Sequence, residues 1–334
     1  MIDNEAKTDQ RYEQLVDWLN TETDFGGYPV VVASADASFR RYFRIEGDLE
    51  TWIAMDAPPE KEDSEPFVRI GGYLREGGVR VPEVYVSDLD QGFLVLEDFG
   101  GLHFEDALLE EGADRDALYD LALQAMVPVT TMGSAIAEKL EPFDRAWLVK
   151  ELMIFHEWFL GEGEDSENVW LAKIDPLLEG ILEQPKVFMH RDFHGRNLLM
   201  LNDETEIGVI DFQGALLGPL TYDLGSLLKD CYQDNSIEWV RGKALQQKSV
   251  YEAALKTTWE DETFLRWMDW TGLQRHLKVL GLFRRLHVRD GKDRYLKDLP
   301  RVWNYANEVL QGYSELADLK SWLETFEIWN SYQS

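Results

Sequence analysis

The chain has 334 residues, of which 45% are hydrophobic, and a formal net charge of −30 from 33 basic and 63 acidic side chains. This length exceeds what one hydrophobic core usually supports, so two lobes or domains are expected, and the strong negative charge argues against nucleic acid and anionic membranes as partners. The sequence has no signal-peptide pattern, no apolar stretch near the ~20 residues that span a bilayer and a single cysteine, which predicts a cytoplasmic protein without intramolecular disulfides.

The first hundred residues predict a small antiparallel sheet with one helix. Pro66 suits the first turn of a helix over 67–75, which Gly77 and Gly78 end. Apolar or alternating runs bounded by turn residues favour strands. The predicted strands are 28–33, 39–45, 51–55, 84–86 and 93–96.

From residue 114 the hydrophobic spacing becomes helical, with a kink or break at Pro128 and a strand-like interlude at 187–210. A sheet followed by helices is typical of an α+β chain. We therefore predict an N-terminal lobe, 1–99, a mainly helical C-terminal lobe, 100–334, and a cleft between them. The predicted helices are 114–140, 146–160, 169–182, 221–232, 249–257, 262–288 and 293–316.

The densest set of polar residues lies in the strand-like interlude. Asp192 follows an apolar run, Asn197 comes five residues later, and a second apolar run ends at Asp211. Phosphoryl transfer needs a carboxylate to accept the proton of the attacking hydroxyl, and oxygen ligands to hold Mg²⁺ against nucleotide phosphates. The spacing predicts Asp192 as catalytic base and Asn197 and Asp211 as metal ligands.

Three neighbouring residues are predicted to have structural roles. His190 is expected to pack and hydrogen-bond beneath the catalytic loop. Asp223, at a predicted helix start, is expected to accept hydrogen bonds from the backbone of that loop. Cys231 lies in a partly apolar stretch and is expected to be a buried thiol.

The segment 190–197 together with Asp211 resembles the aminoglycoside phosphotransferase and choline kinase family, which shares the protein-kinase fold. Three shorter segments, 34–44, 55–60 and 274–281, resemble the bacterial anomeric amino-sugar kinases. The resemblance implies ATP as donor and Mg²⁺ as metal. It also implies N-acetylmuramate or N-acetylglucosamine as the acceptor, phosphorylated at the anomeric hydroxyl during peptidoglycan recycling.

The resemblance further implies where the nucleotide binds. A loop over 34–39 would cover the phosphates, although it has small residues in place of glycine. A hinge over 96–99 would hold the adenine edge through its backbone. The residues concerned are Ser34 and Ser38 in the loop and Leu96, Glu97 and Asp98 in the hinge.

One position departs from the pattern of this fold. Kinases of the family usually carry a lysine on the third strand, paired with a helix glutamate, whereas the matching residue here is Met55. Another cation must then neutralise the phosphates. The candidates are Arg40, Arg41 and Arg44 on the second strand, with Lys61 as a further option.

The acceptor contacts are predicted from polar residues around the catalytic loop. His194 and Arg196 project from the loop, and Gln213 follows the second metal ligand. Arg275 belongs to a basic helix whose cations either balance neighbouring acids or meet an anionic acceptor, such as the lactyl carboxylate of N-acetylmuramate. The aromatic run 155–159 either stacks on a sugar or packs in the core.

Two other functions stay open at this stage. The net charge of −30 favours a cationic acceptor, such as an aminoglycoside or a choline-like amine. Met55 raises the alternative of a nucleotide-binding pseudokinase, against which the complete set of Asp192, Asn197 and Asp211 argues. The sequence also leaves open the exact acceptor, the choice between ATP and GTP, and the oligomeric state.

Overall fold

The computed structural model describes residues 9–35, 39–132, 136, 139–202 and 204–332. The chain divides into two compact units that alternate along the sequence. The first comprises Met1–Leu121 and Arg196–Gly214, and the second comprises Ala122–Gly195 and Ala215–Ser334. The functional boundary after residue 99 stays a prediction.

The elements in chain order are as follows. The strands are β1 (Val30–Ala35), β2 (Arg41–Glu46), β3 (Thr51–Asp56), β4 (Val84–Asp88), β5 (Phe93–Glu97), β6 (Lys186–Met189), β7 (Leu198–Leu201), β8 (Glu206–Val209) and β9 (Leu216–Pro219). The helices are α1 (Gln10–Glu22), α2 (Glu65–Glu76), α3 (Phe104–Ala107), α4 (Arg115–Thr131), α5 (Arg145–Ile154), α6 (Glu164–Leu182), α7 (Tyr222–Leu228), α8 (Ile237–Leu255), α9 (Asp261–Asp290), α10 (Leu299–Gly312), α11 (Ala317–Leu323) and α12 (Glu327–Asn330). A π-turn spans Phe155–Phe159, and 3₁₀ turns span Gly195–Asn197, Asp293–Asp298 and Ser314–Leu316.

The first unit is built on an antiparallel sheet in the order β1-β2-β3-β5-β4, to which the hairpin β7–β8 adds a second, two-stranded sheet. All five predicted strands of the large sheet are present, with bounds that shift by no more than two residues. Alternation along β2 buries Phe43 and Ile45 and leaves Tyr42 and Arg44 partly exposed. The alternation therefore assigns the two faces of this strand correctly.

Helix α1 covers one face of the sheet and was missing from the sequence prediction. Leu15, Trp18 and Leu19 are its buried residues, and they join the core that contains Phe43 and Phe93. The remaining residues of the helix are mostly polar, so three apolar side chains at helical spacing were too weak a signal. The expectation of a single helix in the first hundred residues is therefore wrong.

The second unit is mainly helical, with one large core and a two-stranded sheet of β6 and β9. Helix α9 has 30 residues, most of whose middle part is buried. A Cβ at Gly281 would lie 2.5 Å from the carbonyl oxygen of Ile154, so glycine allows α9 to pack directly on the backbone before the π-turn.

Several helix bounds differ from the predicted ones. Helix α4 continues past Pro128 to Thr131, so the helix does not break there. Helix α8 begins at Ile237, far before the predicted residue 249, because the side chain of Ser236 accepts the N–H of Trp239 and caps it. Strand β9 is too short to give a pattern and was missed. No helix in the described ranges is long and apolar enough to cross a membrane.

Candidate active site

The loop that carries Asp192 follows β6 and is held by a buried carboxylate. Asp223 Oδ2 accepts the backbone N–H of His190 at 2.6 Å, and Oδ1 accepts that of Arg191 at 2.9 Å. Burial raises the pKa of Asp223 to about 6, so it is ionised at neutral pH and can accept from both donors. The predicted tether from Asp223 to the loop is confirmed.

The backbone of this loop takes an uncommon shape. Arg191 has a φ of 80°, a region that residues other than glycine rarely adopt. His190 is 1% exposed, and its Nδ1 accepts the N–H of Asp192 at 3.3 Å while its ring meets Phe193 edge-on. His190 therefore supports the loop from beneath, as predicted, and the backbone contacts hold Arg191 in its strained conformation.

The Asp192 carboxyl lies among cations. Burial alone would raise the pKa of Asp192, but the surrounding positive charges lower it to about 2. The contributing side chains, largest first, are Lys278, His194, Arg275 and Arg191. Asp192 is consequently a stable carboxylate at neutral pH, which suits it to accept a hydrogen bond from a hydroxyl group.

Glu151 is the centre of a buried charge network that sequence analysis missed. Its Oε1 accepts from Arg191 at 2.8 Å and from Lys278 at 3.2 Å, and its Oε2 accepts from Gln274 at 3.0 Å. Burial alone would raise the pKa of Glu151, but Lys278 and Arg191 hold it below its usual range. One signal was present: Glu151 stands next to Leu152 on the apolar stripe of α5.

His194 and Arg275, both predicted to bind the acceptor, lie in the second unit with Asp192. The His194 ring meets Tyr232 edge-on, with centroids 6.3 Å apart. Asp230 fixes the end of the loop, because its two oxygens accept the N–H groups of Gly195 at 3.2 Å and Tyr232 at 3.0 Å. Cys231 is buried as expected.

The predicted metal ligands Asn197 and Asp211 are neighbours in the first unit, at the base of the β7–β8 hairpin. Asn197 Nδ2 lies 3.4 Å from Asp211 Oδ2, and the Ile210 N–H donates to the Asn197 carbonyl at 3.0 Å. One carboxylate and one amide are hard oxygen donors that suit Mg²⁺, which usually takes one or two protein ligands together with phosphates and water. The donor set therefore fits this ion.

The other two predicted acceptor residues are already engaged within the first unit. Arg196 Nε donates to both carboxylate oxygens of Glu105, at 2.9 and 3.1 Å. Gln213 Nε2 donates to Asp211 Oδ1 at 2.6 Å. Neither contact was predicted. Arg196 and Glu105 are 91 positions apart and meet only in the tertiary fold, whereas Gln213 and Asp211 are two positions apart and form a local hydrogen bond that the spacing alone does not indicate.

The predicted nucleotide residues are also in the first unit. Ser34 pairs with Tyr42 in the sheet, whereas Ser38 lies outside the described residues. In the hinge segment Leu96 is buried. The other two hinge residues, Glu97 and Asp98, form ion pairs with Arg80 and Arg44, respectively.

The arginines proposed to replace the missing lysine differ in their surroundings. Arg41 pairs across the sheet with Asp56, and its Nε and Nη2 donate to that carboxylate at 2.9 and 2.5 Å. Asp56 is fully buried and also accepts a hydrogen bond from Arg11 of α1. Arg41 therefore lies on the face of the sheet that α1 covers. Met55 pairs with Tyr42 and points to the opposite face.

The other two candidate arginines, Arg44 and Arg40, also have carboxylate partners. Arg44 Nε donates to Asp98 Oδ2 at 2.5 Å, and its Nη2 donates to the Gly100 carbonyl at 3.3 Å. Arg40, just before β2, is 7% exposed and forms a longer ion pair of 3.5 Å with Glu62. Lys61 Nζ lies over the Phe39 ring, 4.8 Å from its centroid.

The aromatic run of the π-turn belongs mostly to the core. Phe155 and Phe159 stack with centroids 5.0 Å apart and are almost fully buried. His156 is also buried, and its Nε2 lies 2.9 Å from Ser166 Oγ. Of the two alternatives for this run, core packing is the one that the structure supports.

A sheet-based unit, a helical unit and an HxD loop followed by Asn197 and Asp211 define a phosphotransferase with a protein-kinase-like α+β fold. Residues 30–256 match the model of the phosphotransferase enzyme family. The chain belongs to this family, and the expected fold class is confirmed.

Two named relatives and one solved structure are similar to this chain over most of its length. The chain is 39% identical to an N-acetylmuramate/N-acetylglucosamine kinase of Pseudomonas aeruginosa, a match that covers 93% of this chain and 95% of that protein. It is 38% identical to an enzyme of the same name from Neisseria meningitidis serogroup B, with coverage of 93% and 94%. A solved GDP complex of aminoglycoside 2'-phosphotransferase-IIIa shares only 16% identity, but covers 90% of this chain and 100% of that chain with a TM-score of 0.63.

Proposed function

We propose that this enzyme transfers a phosphoryl group from ATP to the anomeric hydroxyl of N-acetylmuramate and N-acetylglucosamine, in the cytoplasm, as a step of peptidoglycan recycling. The observation that carries the proposal is the identity of 38–39%, over 93% of this chain, to kinases named for these two sugars. The tethered loop around Asp192 supports the same chemistry, because it presents an ionised carboxylate to an acceptor hydroxyl.

Asp192 acts on the acceptor in this proposal. With a pKa of about 2 it is a weak base before the reaction begins. Its first task is therefore to orient the hydroxyl by accepting a hydrogen bond. It receives the proton only when bond formation to phosphorus has made that hydroxyl strongly acidic, as expected for a loose transition state.

In this proposal, residues of the first unit bind the nucleotide. Asn197 and Asp211 would hold Mg²⁺, which supplies positive charge to the phosphate oxygens. Gln213 orients Asp211 through their hydrogen bond of 2.6 Å. The backbone of 96–99 would contact the base. One solved structure with this fold is a GDP complex, so GTP is tested as a donor beside ATP.

Arg40 is the best candidate to replace the missing lysine. Arg41 and Arg44 bind aspartates at 2.5 Å, whereas the Arg40–Glu62 pair is longer and adjoins the predicted phosphate loop. An arginine paired with a glutamate reproduces the charge arrangement of the usual lysine–glutamate pair. Arg40 would then contact the nucleotide phosphates while Glu62 positions it.

We expect Asp211→Ala to remove the Mg²⁺-dependent part of nucleotide affinity, because its carboxylate is the only charged member of the predicted ligand pair. Calorimetric titration with a non-hydrolysable ATP analogue, with and without Mg²⁺, measures this. Asp90→Ala, an exposed aspartate of the same unit, is the control and should bind like the wild type. Equal Mg²⁺ dependence in Asp211→Ala and the wild type would reject the ligand assignment.

We expect Arg40→Ala to weaken nucleotide binding or lower kcat by roughly 10-fold or more, since a charge-assisted hydrogen bond is worth about 1.5–3 kcal/mol. Arg41→Ala and Arg44→Ala should affect thermal stability more than nucleotide affinity, because their partners are aspartates of the sheet and hinge. Kinetics at varied ATP concentration separate these results. Unchanged kinetics in all three variants would leave Met55 unexplained and favour a pseudokinase.

The acceptor is tested by measuring ATP and GTP consumption with amino sugars, aminoglycosides and amino alcohols. The expected product is a sugar 1-phosphate, identified by coupling between phosphorus and the anomeric proton in NMR. A second candidate, a cationic acceptor, is favoured by the net charge of −30. Turnover of kanamycin or choline without turnover of either sugar would select that candidate, and phosphate on the 6-hydroxyl would reject the anomeric assignment.

A further inference from the structure

Arg275 is a buried cation for which the described residues provide no hydrogen-bond or ion-pair partner. Its side chain is on α9 and the residue is 4% exposed. Nε and Nη1 are sealed from solvent and make no hydrogen bond. In the described parts of the chain, no carboxylate forms an ion pair with this guanidinium within 4.0 Å. Burying such a group unpaired is costly, so its presence needs a reason.

The next basic residue of the same helix shows the contrast. Lys278 is partly buried, with a side chain 13% exposed, and its Nζ reaches Glu151 at 3.2 Å and Tyr222 Oη at 3.4 Å. Gln274, beside Arg275, donates to Glu151 and leaves its Oε1 sealed without a partner. The network around Glu151 therefore satisfies its own cations and does not extend to Arg275.

Arg275 belongs to the surroundings of the catalytic loop. Its neighbour Gln274 donates to Glu151, which also accepts from Arg191, the residue before Asp192. These contacts place this part of α9 beside the catalytic loop, and the charge of Arg275 also lowers the pKa of Asp192. A group bound by the guanidinium would then lie near Asp192. Nη2 is the one guanidinium nitrogen that is not sealed, and its N–H groups can donate a charge-assisted hydrogen bond to a carboxylate.

We propose that Arg275 is the specificity-determining residue that receives the carboxylate of an acidic acceptor, the lactyl group of N-acetylmuramate. This inference rests on the proposed function, since it assumes that both sugars are substrates. The two sugars share the anomeric hydroxyl and differ by the lactyl ether at carbon 3, so a receptor for that group separates them without touching the reacting atoms. Arg196, the other arginine considered for this role, is bound to both oxygens of Glu105.

The test is a comparison of kcat/KM for N-acetylmuramate, its neutral methyl ester and N-acetylglucosamine. In Arg275→Met we expect the ratio of N-acetylmuramate to N-acetylglucosamine to fall roughly 10- to 100-fold, the range for a charge-assisted hydrogen bond. The acid should exceed the ester by a similar factor in the wild type but not in Arg275→Met, which closes a double-mutant cycle. Arg266, on the same helix, is ion-paired with Glu183. Arg266→Met is therefore the matched control, and its ratio should stay near that of the wild type.

Two further measurements keep the result interpretable. Arg275→Lys keeps the positive charge but lacks the planar guanidinium. It should give an intermediate ratio of kcat/KM for the two sugars, even if the Met variant folds poorly. N-acetylmuramate should raise the Tm of the wild type more than that of Arg275→Met, a readout that needs no turnover. Without ligand, Arg275→Met should melt no lower than the wild type, because an unpaired buried charge has been removed.

Equal losses for all three sugars would overturn the inference, since Arg275 would then act on a group that they share. Equal turnover of acid and ester by the wild type would overturn it as well. Either result leaves the proposed function intact. Turnover of neither sugar, with turnover of another acceptor, would instead reject the proposed function.

Discussion

We expect Asp192→Asn to lower kcat by about 10²- to 10⁴-fold, the usual contribution of a positioned general base. Asparagine keeps the shape of the side chain but cannot take the proton of the acceptor hydroxyl. Nucleotide affinity should change little, because Asp192 acts on the acceptor. Steady-state kinetics for both sugars, together with calorimetric titration of a non-hydrolysable ATP analogue, measure the two effects.

The pH profile gives a second check on Asp192. Its pKa of about 2 lies below the ordinary value, so the reactive carboxylate form is fully present above pH 4 and is lost only as the pH falls through about 2. Asp192 should therefore produce no acidic limb in kcat between pH 5 and 8. Asp293→Asn, an exposed aspartate of the same unit, is the control. Activity within about tenfold of the wild type in Asp192→Asn would show that another group is the base.

We expect Glu151→Leu to cause a large loss in the free energy of unfolding. This change leaves Arg191 and Lys278, whose side chains are 26% and 13% exposed, without their buried carboxylate. Breaking a buried ion pair by removing one partner typically lowers the free energy of unfolding by about 3–5 kcal/mol. Urea denaturation measures this loss. The double variant Glu151→Leu with Lys278→Met should recover part of it, because apolar replacement of both partners is far better tolerated than loss of one.

Glu179→Leu provides the comparison for Glu151. Glu179 also forms an ion pair, with Arg145 at 2.7 Å, but both side chains are well exposed. Surface pairs contribute about 0–1 kcal/mol, so this control should unfold almost like the wild type. If Glu151→Leu were no more destabilising than Glu179→Leu, the network would not hold the loop, and the strained φ of Arg191 would need another explanation.

Local patterns were sufficient for the fold class, the five strands of the large sheet and the tether at Asp223. Strand alternation, glycine turns and the spacing of the HxD loop depend on residues close in sequence, so one sequence reveals them. Helix α1 was missed because its buried face consists of only three apolar residues. The start of α8 was predicted too late because it is decided by a single capping side chain, that of Ser236.

The partners of charged residues could not be predicted. Period-two spacing places Arg41 and Arg44 on opposite faces of β2, but nothing local indicates that Arg41 meets Asp56 or that Arg44 meets Asp98. Glu151 and Lys278 are 127 positions apart and meet only in the folded core. For the same reason the sequence could not separate Arg196, which has a carboxylate partner, from Arg275, which has none in the described residues.

The contacts of Asp56 also constrain the order in which the first unit can fold. Its carboxylate joins Arg41, 15 positions away, and Arg11, 45 positions away, while Arg11 also donates to the Gln91 carbonyl across 80 positions. Contacts of such long range form only after the loops between them have closed, which makes them entropically late. Helix α1 therefore leaves the ribosome before the strands it packs on, but can dock only once β2, β3 and the turn between β4 and β5 have come together.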